Sequence, residues 1–258
     1  MHRTALTAML VGSLARGPLL GAQEAGPLVP SASGAPASAP ADGGQPIQWW
    51  HGAIIGGGLA AIALLDPPVQ RYAQDHRGRT GDDISRIFRH MGQPEVYATV
   101  GLGLLGAGLV AGKPDLARSG GRVTGSLLLA GLFTTGAKEV FGRPRPEASL
   151  DADGFRPFSG QNSFPSGHAT VAFALATSLS DEIHRPWATV GLYTFATGTA
   201  WSRLNDNKHW LSDVVAGAVV GVASAKLING RWRIFHLRSP SFLIGPSGSP
   251  SIGWQASF

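Results

Sequence analysis

Cysteine is absent from the 258 residues, which excludes a disulfide framework and leaves the redox character of the compartment open. A basic stripe interleaved with aromatics is also missing. The formal charge is +5 and the pI about 10.1, yet Lys and Arg are scattered among apolar runs, which argues against a nucleic-acid surface. An anionic lipid surface or an anionic substrate accounts better for the excess. No uncharged run reaches the ~20 residues that a hydrocarbon core of about 30 Å asks of a spanning helix. Residues 23–45 contain no aromatic side chain at all.

What is there divides the chain into four stretches. Met1-His2-Arg3 followed by an apolar run to Ala15 and small residues at Gly21-Ala22 reads as a secretory leader over 1–22, with an uncleaved anchor helix as the alternative. Residues 23–48 are rich in Pro, Ala, Gly and Ser and bury too little to offset chain entropy, so a flexible linker is expected. A helical domain is expected over 49–230, and a tail over 231–258. In the tail, Ile252, Trp254, Ala256 and Phe258 alternate behind the turn residues Gly245-Pro246-Ser247-Gly248, which predicts a terminal β-hairpin.

The domain carries six uncharged apolar runs, 51–65, 96–112, 123–137, 169–180, 186–202 and 214–225. They predict an all-α fold, a six-helix bundle. Ile84, Ile87, Phe88 and Met91 follow the i, i+3, i+4, i+7 pattern behind Asp82-Asp83 and add a short amphipathic helix, with Arg86 and Arg89 on its polar face. Its expected place is a membrane surface, or one end of the bundle. Small residues in the runs permit close helix contacts in lipid, and Trp50, Trp187, Trp201 and Trp210 near the run ends are what an interfacial belt requires. The mean hydropathy of +0.07 is modest for a membrane protein, so a soluble bundle remains the competing architecture.

The chemistry is concentrated between Lys138 and Asp213. His209 and Asp213 stand four apart at the start of an apolar run, so both would project from one helix face, with Asp213 fixing the imidazole tautomer. Pro165-Ser166-Gly167-His168 precedes another apolar run. A helix start there offers unpaired backbone N–H groups to a phosphate, Gly167 permits close approach, and His168 sits where it can protonate a leaving oxygen. Lys138 and Arg145 flank six residues ending in an Arg-Pro-Arg-Pro segment that the prolines force to be extended, a stiff support for a bidentate donor. A zinc site at His168, His209 and Asp213 is the alternative, opposed by the charges of Lys138, Arg145 and Arg203.

Taken together, Lys-x6-Arg-Pro, Pro-Ser-Gly-His and Ser-Arg-x5-His-x3-Asp stand complete and in order over eleven specified positions. The chain resembles the type 2 phosphatidic acid phosphatase and vanadium haloperoxidase superfamily from about Trp49 to Asn229. The resemblance implies His209 as nucleophile, Asp213 as its partner, and His168 as acid and then base. It implies Lys138, Arg145, Ser166, Gly167 and Arg203 as ligands of the phosphoryl oxygens. Ser202, Pro146 and Pro165 are expected to position these groups. No metal is expected. Vanadate should inhibit, or serve as cofactor if the chain is a haloperoxidase.

The substrate expected is a lipid phosphate or other phosphoester. A soluble periplasmic acid phosphatase and a non-catalytic phosphate-binding membrane protein are the remaining alternatives. With six spans, the connections after the first, third and fifth helices share one side, and the clusters fall in the third and fifth. A cleaved leader would turn that side to the cytoplasm, whereas the family's membrane members carry it outside. The expectation is therefore a bacterial envelope protein with a periplasmic catalytic face, or a soluble periplasmic one.

Overall fold

A computed structural model describes residues 44–234, 240–244 and 250–253. The leader expected over 1–22 and most of the linker lie outside these residues. Eight helices occur among the described residues: α1 (Trp49–Ala63), α2 (Asp66–Asp75), α3 (Arg79–Met91), α4 (Pro94–Val110), α5 (Pro114–Phe141), α6 (Gly167–Ile183), α7 (Pro186–Asn205) and α8 (Leu211–Ile228). Six of them answer to the apolar runs and α3 to the amphipathic one. Two short pairings accompany them: β1 (Gln45–Pro46) runs parallel to β2 (Trp232–Arg233), and β3 (Ser241–Ile244) antiparallel to β4 (Pro250–Gly253). The second pairing is the terminal hairpin; Trp254 to Phe258 lie outside the described residues.

Helix lengths exceed the uncharged runs because several helices begin or end on charged residues. Helix α5 starts at Pro114, nine residues ahead of Val123, and carries Arg118 and Arg122 in its first turns. Both pair outward, Arg118 with Asp115 at 2.5 Å and Arg122 with Glu182 at 2.9 Å. Its 28 residues rise ~42 Å. Helix α2 was not foreseen. Asp66 with Pro67 and Pro68 starts it two residues beyond the end of α1, and the two axes meet at 48°.

The core lies where α4, α5, α6 and α7 meet, with Tyr97, Val123, Val171, Ala172, Leu175, Ala176 and Ala196 buried together. Helix α8 closes the other side of α6 through Ala169, Ala200 and Val214. That contact is unusually near. A Cβ on Gly221 would lie 2.3 Å from the Thr170 carbonyl oxygen, and one on Gly217 would lie 2.5 Å from that of Ser166. The backbone of α8 therefore rests on the start of α6, and the two catalytic candidates on those elements are held in one frame.

The outside is apolar over wide areas. No residue of α1 is buried, and Leu102, Val110, Leu128, Leu132, Trp187 and Val190 are exposed. Among the described residues α8 is long and apolar enough to cross a membrane, with half of it buried, and the bent pair α1 and α2 passes the same test together. Trp210 departs from the expected belt. It is buried, donates Nε1 to the Pro144 carbonyl at 3.0 Å and has the Arg143 guanidinium over its ring, so hydrogen bonding and cation–π contact draw it inward. Helix α3 turns Ser85 and Phe88 onto α7 and leaves Ile84, Ile87 and Met91 exposed, and its Arg89 reaches inward to Asp206 at 3.2 Å. It thus closes one end of the bundle while presenting an apolar edge.

Gly221→Ala should destabilise the protein by about 1–3 kcal/mol, since the added methyl has no room against α6. Thermal unfolding of the purified protein measures this, and an unchanged midpoint would contradict the close approach.

Candidate functional site

Three connections on one side of the bundle supply the site. The connection between α5 and α6 spans residues 142–166 and is non-helical. Helix α5 ends at Gly142 with φ +52, and a Cβ there would meet the Arg156 carbonyl oxygen at 1.8 Å, so only glycine lets the chain reverse under its own loop. Rings of Phe141, Phe155 and Phe164 meet edge to face with centroids 4.8 to 6.2 Å apart and stiffen the loop. The Phe164–Pro165 peptide is cis, just ahead of α6.

His209 lies in the connection before α8, not on the helix as its spacing to Asp213 suggested, because α8 begins at Leu211. Asp213 occupies the third helical position, where its Oδ2 accepts the Trp210 backbone N–H at 2.9 Å and so caps the helix. That oxygen also accepts the Ser163 hydroxyl at 2.5 Å. His209 Nδ1 is 3.6 Å from Asp213 Oδ2 and 3.5 Å from Ser163 Oγ, ion-pair reach rather than a short hydrogen bond. Nδ1 is thereby turned to the acid and Nε2 to the other side. Burial pushes the His209 imidazole down to about 4, against the opposing pull of Asp213, so at neutral pH the ring is uncharged and carries a lone pair.

Behind Asp213 stands a buried charge network that the motifs did not reveal. Arg143 is 1% exposed and spends its donors on four acceptors: Asp213 Oδ1 at 2.6 Å, Asp66 Oδ2 at 2.7 Å, Ser212 Oγ at 2.7 Å and the Ala152 carbonyl at 2.8 Å. Phe155 and Trp210 cover its guanidinium, at 5.0 and 5.4 Å from the ring centres. Asp66, at the start of α2, also accepts the Ser212 N–H at 2.8 Å and the Ser212 hydroxyl at 2.5 Å. The signal in the sequence was there in the first arginine of Arg-Pro-Arg-Pro. Nothing in sequence spacing linked it to an aspartate 77 residues away.

The phosphate-ligand candidates surround His168. Ser166 caps α6 by position but not through its side chain, whose Oγ is buried without a hydrogen-bond partner. Arg203 is 5% exposed, pairs through Nη1 with Asp206 at 3.3 Å, and keeps Nε buried without a partner. Asp206 is in turn held by Ser85 at 2.7 Å and Arg89, so α3 fixes the arm that aims Arg203. Lys138 donates to the Asn162 carbonyl, and Arg145 Nε donates to Asn162 Oδ1 at 3.1 Å; Asn162 is a second residue that the motifs missed. The charges of Arg203, His209, Arg145 and Lys138 all act on His168, and the Ser166 N–H donates to the Asp213 carbonyl at 2.9 Å, so residues from three distant segments converge. A Cβ on Gly167 would meet only Thr134 Cγ2 at 3.9 Å, so protein packing does not demand glycine there. Ser202 is buried, and its carbonyl accepts the Ser85 hydroxyl at 3.3 Å.

Such a pocket holds a neutral buried imidazole, a second histidine, three cations and two unpartnered donors that a tetrahedral oxyanion would satisfy. A match to the PAP2 superfamily family model over residues 120–234 encloses all three segments. Over that region the chain is similar to the PAP2 superfamily. Over 110 residues it is 40% identical to the lipid A 1-phosphatase of Porphyromonas gingivalis, covering 42% of this chain and 22% of that protein. It is 33% identical over 92 residues to the putative undecaprenyl-diphosphatase YbjG of Escherichia coli, covering 34% of this chain and 46% of that one. The matches thus span less than half the length of these relatives. In fold, the chain is similar to Aquifex aeolicus LpxE, with TM-score 0.51 at 23% identity over 62% of this chain and 92% of the other. The same holds for a transmembrane PAP2 type phosphatidylglycerolphosphate phosphatase from Bacillus subtilis, with TM-score 0.53 at 21% identity over 70% and 92%.

Two outcomes test this geometry. Asp66→Asn should cost about 2–4 kcal/mol, because either orientation of the amide sets its NH2 against a donor, the Ser212 N–H or Arg143; an unaltered denaturation midpoint would refute the network. The second concerns pH. With His209 held at about 4, the unfolded chain binds a proton in the window from about 6.5 down to 4 that the folded chain does not. Stability should therefore fall as pH falls through that window, by up to ~1.4 kcal/mol per pH unit from this residue. His209→Gln should fall less steeply when melting is followed from pH 7 to 4; parallel curves would show that the ring is not held neutral.

Proposed function

We propose that the protein is a metal-independent phosphatase that hydrolyses a lipid phosphate or diphosphate through a phosphohistidine intermediate. The observation that carries this reading is the gathering of His209, Lys138, Arg145 and Arg203 near His168, with Ser166 Oγ and Arg203 Nε buried and unpartnered. The names of the two relatives, a lipid A 1-phosphatase and an undecaprenyl-diphosphatase, support a lipid phosphate as substrate class.

The chemistry follows from the charges. Lys138, Arg145, Arg203, Ser166 Oγ and the Gly167 N–H hold the equatorial phosphoryl oxygens, where a loose transition state spreads its charge. His209 Nε2 forms the N–P bond as the P–O bond to the leaving group breaks, and His168, protonated as the phosphoryl dianion enters, gives its proton to the departing oxygen. Asp213 stabilises the charge that the His209 ring acquires, and Arg143 with Ser163 keeps Asp213 ionised and aimed. Water then attacks phosphorus, surrenders a proton to His168, and breaks the N–P bond, which restores both histidines. The cations carry the work that metal ions do in other phosphoryl-transfer sites.

The same reading places the protein in the bacterial envelope with its helices in the membrane and the catalytic side facing the periplasm. The exposed apolar residues of α1, α4, α5 and α7 support it, since so much apolar surface is costly in water. Residues 1–22 as leader, 23–48 as linker and 49–230 as catalytic domain belong to this proposal.

Phosphate release from phosphatidic acid, undecaprenyl diphosphate and lipid A by the purified chain is the direct assay. Turnover should drop about a thousandfold or more in His209→Ala and in His168→Ala, vanadate should inhibit, and a chelator should have no effect. Chelator-sensitive activity restored by zinc would overturn the mechanism. The protein should also stay with membranes through a carbonate wash.

A further inference from the structure

Beside the pocket lies a cleft of about 480 Å³ that shares Arg145 and Asn162 with it and is otherwise unused by the catalytic chemistry. The connection between α5 and α6 builds it, and Arg145, Ser149, Asp151, Arg156, Gln161 and Asn162 line it. Its size falls in the range of small-ligand sites. Asn162 is the shared wall, since its carbonyl and Oδ1 take Lys138 and Arg145 from the catalytic side.

The charge in this cleft has little to balance it. Arg145 spends Nε on Asn162 and has Nη1 3.9 Å from Glu147, which leaves Nη2 without a partner among the described residues. Arg156 has no ion pair or side-chain hydrogen bond among them. Its position is nevertheless fixed: the Arg156 N–H donates to the Gly142 carbonyl at 3.0 Å, its own carbonyl accepts from Ser159 at 3.2 Å, and the neighbouring Phe158 N–H donates to Glu139 at 2.8 Å. The one acid in the lining, Asp151, bends back on its own turn, with Oδ1 accepting the Asp153 N–H at 3.2 Å. Arg145 and the exposed Arg156 thus line a cleft whose single carboxylate, Asp151, is held through Oδ1 by its own turn, among amide and hydroxyl groups of Gln161, Asn162 and Ser149.

One phosphoryl group is already accommodated by Lys138, Arg145, Arg203 and Ser166. We propose that the cleft is a second anion subsite, which seats a second phosphate of the substrate against Arg156 and makes that residue determine the preference for diphosphates over monophosphates. This rests on the phosphatase reading, for the first phosphate is assumed to sit beside His209. The cleft takes either the lipid-linked phosphate of a diphosphate, a monoanion when the terminal phosphate lies beside His209, or a phosphate carried farther along the head group; both offer anionic oxygens to the guanidinium.

Binding separates the possibilities without relying on turnover. Calorimetry on the full chain with methylenediphosphonate, which resists hydrolysis, and with orthophosphate should show the diphosphonate binding about tenfold or more tightly, as a charge-assisted contact allows. Arg156→Gln should remove that advantage and leave orthophosphate affinity within about twofold; Arg156→Lys should restore part of it, with no change in melting temperature for either variant. In turnover, Arg156→Gln should lower kcat/KM for farnesyl diphosphate about tenfold or more and that for farnesyl monophosphate less than about twofold. Loss on the diphosphate points to the directly linked phosphate; loss confined to lipid A bearing a second, remote phosphate points to the farther one. Equal affinities for the two probes, or an advantage that survives Arg156→Gln, would overturn the subsite while leaving the phosphatase reading intact. Failure of both anions to bind would sink the phosphatase reading with it.

Discussion

The structure depends on a single buried guanidinium held between two carboxylates. Arg143 joins Asp66 at the start of α2 to Asp213 in the first turn of α8, and a buried charge of this kind is tolerable only when every donor has an acceptor. The cluster comes close to that condition: four of the five N–H donors reach Asp66, Asp213, Ser212 and the Ala152 carbonyl, and the faces of Phe155 and Trp210 cover the guanidinium. Its cost is repaid in geometry rather than stability: Asp213 has one orientation open to it, and His209 inherits that orientation.

Around this centre the fold sorts its parts by side. The connections after α1, α5 and α7 bring Asp66, Ser85 and Arg89, then Arg143, Arg145 and Ser163, then His209, to the same end of the bundle. The helices between them serve mainly as spacers of fixed length, packed closely enough at α6 and α8 that the nucleophile candidate and the candidate oxyanion-binding helix start cannot drift apart. Rigid spacing suits a reaction in which catalysis is almost wholly positioning and electrostatics.

Much of this was legible in the sequence, and the reason is local. Apolar runs disclose helices, and the three motifs disclose polar side chains whose spacing is fixed by short loops, so His168, His209 and the cations could be named without coordinates. Asp66, Ser163 and Asn162 were not legible, because their roles come from contacts across 17 to 146 residues of chain. Charge-free runs also misjudged helix ends: Arg118 and Arg122 lie within α5 because their side chains reach out to Asp115 and Glu182. Trp210 was assigned to a belt on position alone, whereas its indole is buried against Pro144 and Arg143.

The bend between α1 and α2 has an implication for where the working unit begins. Residues 120–234 hold every motif position, yet Asp66 lies 54 residues upstream of that stretch and supplies half of the counter-charge for Arg143. A fragment cut to the motif-bearing region would strand a guanidinium in the interior with one acid where it needs two. The smallest portable piece of this protein therefore reaches back at least through the elbow that carries Asp66, and its modularity is set by electrostatic neutrality rather than by motif content.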